Sequence, residues 1–177
     1  MAEHKFLVAG EWRDSKEPLE VTNPYDGGLV GITYRPAGGD VEDAVVAAAR
    51  AAKETASLPT YRRAEILRNI RDGITRRREE FARLITLEAG KPIKISRGEV
   101  DRATHVVGLA AEETGRIGGE MFPLDLLESA RGHVAITRRF PVGPILGITP
   151  FNFPINLVCH KLAPAIAAGN TVIIKPT

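Results

Sequence analysis

Residues 145–176 leave this chain few choices of fold. Ile145-Leu146-Gly147-Ile148 is a short apolar run that reads as a strand buried on both faces. Pro154 suits the first turn of a helix, where its missing N–H would have had no partner, and Leu157, Val158 and Leu162 carry that helix forward. Pro164 is expected to kink or restart it, and Gly169-Asn170 closes it. Thr171-Val172-Ile173-Ile174 is a second apolar strand, ended by Lys175-Pro176. Strand, helix and strand make a βαβ unit with parallel pairing, so the chain is of the α/β class. One βαβ unit does not complete a doubly wound sheet, and the expectation is a truncated domain whose other strands lie past Thr177.

Upstream the periodicity changes twice. Residues 6–13 read as a hairpin turning at Ala9-Gly10 with Trp12 as an apolar anchor, and residues 21–35 as a second, irregular one. Four helices follow. The first has Asp40 as N-cap and an apolar face of Val41, Ala44, Val45, Ala48 and Ala52. The second carries Leu67, Ile70 and Ile74, and the third carries Phe81, Leu84 and Ile85 before Gly90 and Pro92 end it. The fourth repeats Val100, Ala103, Val107 and Ala111. Short connections predict that all four stack on something flat. Residues 133–140, rich in β-branched and basic side chains, read as a half-exposed edge strand.

Several function classes fall away on composition. A hydrophobic share of 44% with 26% charged residues over 177 positions is globular, and the formal net charge is only +2. Glu65, Asp72, Glu79 and Glu80 interrupt the arginines at 62–63 and 76–78, so these are a solvated helix face and not a nucleic-acid surface. The single cysteine excludes an internal disulfide and a cysteine-based zinc site, and His4, His105, His133 and His160 have no paired metal spacing. No targeting segment or membrane span is visible: the longest apolar run, near Leu162, is broken by Pro164. A soluble cytoplasmic protein is expected.

Ligands of doubly wound sheets bind beyond the carboxyl ends of the strands. Thr149, Pro150, Phe151 and Asn152 stand there after the first strand, and Lys175 after the second. The GxGxxG fingerprint is missing, so no tight glycine turn can cradle a pyrophosphate at this crossover. Lys175 can donate to ribose hydroxyls or to a 2′-phosphate, or simply be solvated. Asn152 can offer two N–H donors to an oxyanion, or cap the helix that Pro154 begins. Position alone leaves both questions open.

The stretch Ile148-Thr149-Pro150-Phe151-Asn152-Phe153-Pro154 together with residues 161–176 resembles the signature of the aldehyde dehydrogenase superfamily. So do Gly10-Glu11-Trp12, Thr22-Asn23-Pro24, residues 63–67, Glu88-Ala89-Gly90-Lys91-Pro92, Gly98-Glu99-Val100 and residues 139–143, and the likeness runs along essentially the whole chain. The branch it is most similar to oxidises lactaldehyde, glyceraldehyde 3-phosphate and comparable small aldehydes. The resemblance implies the N-terminal part of a Rossmann-like coenzyme domain: residues 1–122 as hairpins and helices, 123–142 as a β-arm for oligomerisation, and 143–177 as the first βαβ unit.

It also implies a reaction. A cysteine thiolate attacks the aldehyde, an asparagine amide holds the oxyanion, hydride leaves to NAD or NADP, and a glutamate-activated water releases the acid. Asn152 matches the oxyanion asparagine and Lys175 the lysine on the adenosine ribose. Thr149, Pro150 and Phe151 line the cofactor side, and Phe153 joins Asn152 on the substrate side. Arg102 matches an arginine that reaches the substrate phosphate in phosphate-using members, with a solvent-facing helix residue as the alternative. Cys159 does not match the nucleophile motif and reads as a small packing residue, so the nucleophile and base are expected outside this chain. A homodimer or homotetramer is implied for the full-length protein. The competing reading is a non-catalytic scaffold of the same fold that binds a nucleotide or a partner.

Overall fold

A computed structural model describes residues 2–177. Near the N-terminus β1 (Ala2–Glu3) lies parallel to β5 (Leu29–Tyr34), which pairs antiparallel with β4 (Pro18–Thr22). Between them β2 (Phe6–Val8) and β3 (Glu11–Arg13) form the expected hairpin. Ala9 and Gly10 both have positive φ, 52° and 88°, which matches the strand twist of a two-residue hairpin. Val8 is the residue this hairpin buries. Trp12 is not an anchor: it pairs across the ribbon with Leu7, and both lie on the face turned to solvent, 68% and 56% exposed.

Helix α1 (Gly38–Ser57) begins after Ala37, so Asp40 is its third residue and not its N-cap. The Asp40 carboxylate reaches back to accept the Ala37 N–H at 2.9 Å, satisfying an orphan donor from inside the helix. Arg13 bridges Asp40 and Asp43 and so ties the hairpin to this helix start. Val41 and Val45 are about half exposed, and only Ala48 of the expected face is buried. The helix leans on the sheet through its middle, where the Thr171 hydroxyl donates to the Ala48 carbonyl.

The remaining helices are α2 (Thr60–Arg76), α3 (Arg78–Ala89), α4 (Ile93–Glu113) and α5 (Pro154–Ala167). Of the four helices expected to stack on something flat, α1 meets the parallel strands, while α2 and α3 pack on α4 and α4 packs on α5. The α4 stripe of Val100, Ala103 and Val107 is fully buried, and its small side chains let α2 and α3 approach on one side and α5 on the other. Leu67, Ile74, Ala82, Ile85, Cys159 and Ala163 complete this helical core. Of the helices, α5 and α1 make the main contacts with the parallel strands, and α5 is the layer between core and sheet.

After α4 a two-stranded antiparallel ribbon leaves the body, β6 (Met121–Pro123) with β7 (Val134–Ile136). The strand expected over 133–140 is thus only three residues long, because Arg138 and Arg139 carry no ladder bonds and lie exposed. Then come β8 (Ile145–Ile148) and β9 (Val172–Lys175), parallel, with Ile145 opposite Val172 and Ile148 opposite Lys175. β9 begins at Val172, one residue later than expected, although the Thr171 carbonyl still accepts the Ile145 N–H at 2.9 Å. The helix between them passes through Pro164 without a break. Both Pro164 and His160, whose carbonyl loses its helical partner, are exposed, so water can meet that carbonyl.

Burial of the strands on both faces is not observed. Alternate residues point to opposite faces, and α5 covers only the Gly147 face. A Cβ on Gly147 would stand 3.3 Å from Lys161 Cβ, which is how closely helix and strand approach. On the other face Leu146 and Ile148 are 61% and 62% exposed, with no element among the described residues above them.

Candidate functional site

The site is built where β8 ends and α5 begins. Thr149 is buried, and both its N–H and its hydroxyl donate to the Lys175 carbonyl, at 3.1 and 3.4 Å. That pairing sets the two strand ends side by side and consumes the Thr149 backbone donor. Pro150 and Phe151 then turn outward, and the Lys175 side chain is exposed at the end of β9.

The N-cap of α5 is Phe153, whose side chain has no oxygen to accept with, and Pro154 follows at the first helical position. The first-turn donors are nevertheless met. Glu99, on α4 and fully buried, accepts from the N–H groups of Ile155 and Asn156 at 3.1 and 3.4 Å through Oε1. Its other oxygen receives the Lys91 ammonium at 2.6 Å. A buried carboxylate is tolerable only when paired and hydrogen-bonded, and both conditions hold here: one oxygen has a cation, the other the positive end of a helix. Asn152 therefore is not the cap. Its side-chain amide is exposed and makes no hydrogen bond to any group among the described residues, while its carbonyl accepts from Lys91.

Phe153 packs against the same Lys91 and one further cation. Lys91 Nζ lies 4.2 Å and the Arg102 guanidinium 4.6 Å from its ring centre. Lys91 is committed to Glu99, but Arg102 has no carboxylate partner among the described residues. Arg102, Phe153 and Asn152 thus form one cluster, and Thr149 with Lys175 another at the strand ends. Glu99 and Lys91 went unassigned in the sequence reading. A signal existed for Glu99: it interrupts an inward-facing stripe at helical spacing, between Ser96 and Ala103, where a charge needs a reason.

The family model for the "Aldehyde dehydrogenase family" matches residues 12–177. The chain belongs to the aldehyde dehydrogenase family. It is similar to the 3-sulfolactaldehyde dehydrogenase of Priestia aryabhattai, 43% identical over 98% of this chain and 36% of the relative. Among solved structures it is similar to an aldehyde dehydrogenase from Physcomitrella patens in complex with the reaction product succinate. There the TM-score is 0.94 and the identity 38%, over 99% of this chain and 37% of that one. It is also similar to the NADP-dependent glyceraldehyde-3-phosphate dehydrogenase from Bacillus halodurans C-125 complexed with NADP, with a TM-score of 0.94 and 33% identity, over 100% of this chain and 38% of that one. The chain thus spans little more than a third of the length of the relatives it matches.

Within this aldehyde dehydrogenase chain Cys159 is not placed for nucleophilic work. It is 2% exposed in the core between α4 and α5, and burial pushes its thiol up to about 11. A thiol so protonated offers almost no thiolate near neutrality. An open groove also lies away from the Asn152 cluster, along the edge of β8 between Leu146 and His160, and its lining is mostly apolar.

Proposed function

We propose that this chain supplies the oxyanion donor and part of the cofactor edge of an enzyme that oxidises a small, anionic aldehyde to its acid with NAD or NADP. The observation that carries the reading is the unengaged amide of Asn152. An asparagine beside a helix start would ordinarily be spent on capping, but Glu99 does that work and leaves two N–H donors free. Such donors stabilise charge that appears on the aldehyde oxygen only as the nucleophile adds. The nucleophile itself lies outside these residues in this reading, and the chain alone is inactive.

NAD or NADP, when bound, supplies the hydride acceptor. Lys175 suits the ribose or phosphate side of such a group, being an exposed cation at a strand end, beside the buried Thr149 and the outward-turned Pro150 and Phe151. Arg102 serves the other end of the site. Its unpaired guanidinium, held against Phe153, suits a carboxylate, phosphate or sulfonate on the substrate. Three of the similar proteins carry an anionic compound in their names, sulfolactaldehyde, succinate and glyceraldehyde 3-phosphate, while others are named for lactaldehyde or betaine aldehyde, which are not anionic. The β6–β7 ribbon, with Phe122, Val134 and Ile136 exposed, fits an arm that packs on another subunit of a cytoplasmic dimer or tetramer.

The test is reduction of NAD and NADP by the full-length enzyme over a panel of aldehydes of matched size. Turnover of sulfonated, phosphorylated or carboxylated aldehydes well above a neutral one is expected. A preference for neutral aldehydes removes the Arg102 assignment, and no oxidation of any aldehyde removes the reading as a whole.

A further inference from the structure

We propose that Glu99 and Lys91 are positioning residues for the oxyanion amide of Asn152, acting as one ion-paired clamp. The inference rests on the aldehyde-oxidising reading above and extends it to residues that do not touch the substrate. The Lys91 ammonium makes three contacts at once: Glu99 Oε2 at 2.6 Å, the Asn152 carbonyl, and the face of the Phe153 ring at 4.2 Å. Glu99 holds the next two residues but one, through the N–H groups of Ile155 and Asn156. Every residue from 152 to 156 except Pro154 is therefore gripped by this single pair, and Pro154 has no N–H to grip.

The clamp has a fixed base. Glu99 is fully buried on α4, the most enclosed helix of the core, flanked by Ser96, Val100 and Ala103 at 0% exposure. Lys91 issues from the left-handed turn at Gly90 (φ 65°), where α3 stops, and its side chain is only 17% exposed. An oxyanion donor works by standing ready before charge develops, so its geometry must be held by something stiffer than a loop. The loop 149–153 has no ladder bonds after Thr149. The α3–α4 core supplies the stiffness instead, through one carboxylate and one ammonium.

The experiment uses the full-length enzyme with Glu99→Gln, Lys91→Met, their double variant, Lys91→Arg, and Asn152→Ala as reference. Each is read by kcat, by KM for aldehyde and cofactor, and by hydrogen exchange at the Ile155 and Asn156 amides. Misplacing a reacting group by about an ångström costs about 10- to 100-fold in rate, and that loss of kcat is expected for Glu99→Gln and for Lys91→Met, with KM for the cofactor unchanged. The double variant should be no slower than the worse single one, because both break the same clamp. Lys91→Arg should restore most of the rate, and exchange at Ile155 and Asn156 should quicken in Glu99→Gln. Should Glu99→Gln fail to fold, Lys91→Met at the less enclosed partner gives the same comparison.

Wild-type kcat in both clamp variants alongside a slow Asn152→Ala overturns the clamp and leaves the aldehyde reading intact. Losses that follow melting temperature and are not restored by Lys91→Arg also overturn it. If Asn152→Ala keeps wild-type kcat, or if the enzyme oxidises no aldehyde, the functional reading fails. Exchange then decides the clamp: unchanged rates at 155 and 156 overturn it, faster rates uphold the anchoring.

Discussion

The Arg102 guanidinium stands 4.6 Å from the centre of the Phe153 ring, and no carboxylate among the described residues neutralises it. Other arginines of α3 and α4 are paired, Arg78 with Asp101 and Arg97 with Glu79. In the proposed reading this cation, packed on the residue that follows Asn152, meets an anionic group of the substrate. In the full-length enzyme Arg102→Ala is expected to raise KM for an anionic aldehyde about tenfold or more, the scale of a lost charge-assisted hydrogen bond. KM for a neutral aldehyde should hardly move. Equal rises for both substrates would reduce Arg102 to a packing role on Phe153.

Gly90 is where the backbone itself constrains the site. Its φ of 65° ends α3, and an added Cβ would stand 2.9 Å from Pro24 Cγ. Gly90→Ala is therefore expected to cost about 1–2 kcal/mol from the left-handed conformation alone, read as a lower denaturant midpoint. Gly98 is the control: it lies inside α4, is exposed, and a Cβ there meets nothing within 4 Å. Gly98→Ala should stabilise by about 0.5–1 kcal/mol. Equal effects of the two alanines would mean that the turn at Gly90 is not strained by a side chain.

Cys159 gives a prediction in pH. Burial raises its thiol from 9.0 to about 11, so the fold favours the protonated, neutral form. The stability this contributes is fully present below pH 9.0 and is lost as the pH rises toward about 11. Cys159→Ser should flatten the alkaline limb of the stability curve over that window. The native thiol should also resist iodoacetamide at mildly alkaline pH and react on unfolding. Rapid alkylation of the folded protein would contradict the burial.

What could be read from the sequence, and what could not, divides along locality. The hairpin at Ala9-Gly10, the stop at Gly90 and the buried stripe of α4 depend on neighbours a few residues away, and all were legible. The misread residues each needed a distant partner. Trp12 looked like an anchor, yet only the placement of the ribbon decides which of its faces meets α1. Leu146 and Ile148 looked buried because apolar strands usually are, and no element among the described residues covers their face. For Asn152 position alone allowed cap or donor and the family resemblance chose donor; what the sequence did not show is that a carboxylate from another helix meets the first-turn N–H groups in its place. Lys91 was beyond reach for the same reason: its direction is set by a left-handed turn, and its partner sits two turns into the next helix.

That carboxylate also separates two roles of Asn152 by measurement. If Asn152 capped α5, its replacement by alanine would cost about 0.5–2 kcal/mol of stability. Since Glu99 accepts the first-turn N–H groups and the Asn152 amide engages nothing among the described residues, Asn152→Ala should leave the melting temperature unchanged. Its effect should fall on catalysis instead. Loss of one oxyanion donor costs about 10²–10³ in kcat, and because the interaction forms only as charge develops, KM should change little. Cys159→Ser provides the opposite profile: a packing loss of about 1 kcal/mol in the core, with kcat near that of the wild type. The two variants measured side by side in the full-length enzyme give four numbers, two rates and two stabilities. A stable, slow Asn152→Ala beside a weakened, active Cys159→Ser is the expected pattern. An unstable but active Asn152→Ala would return that residue to the helix cap, and a dead Cys159→Ser would make the buried thiol a participant in the chemistry after all.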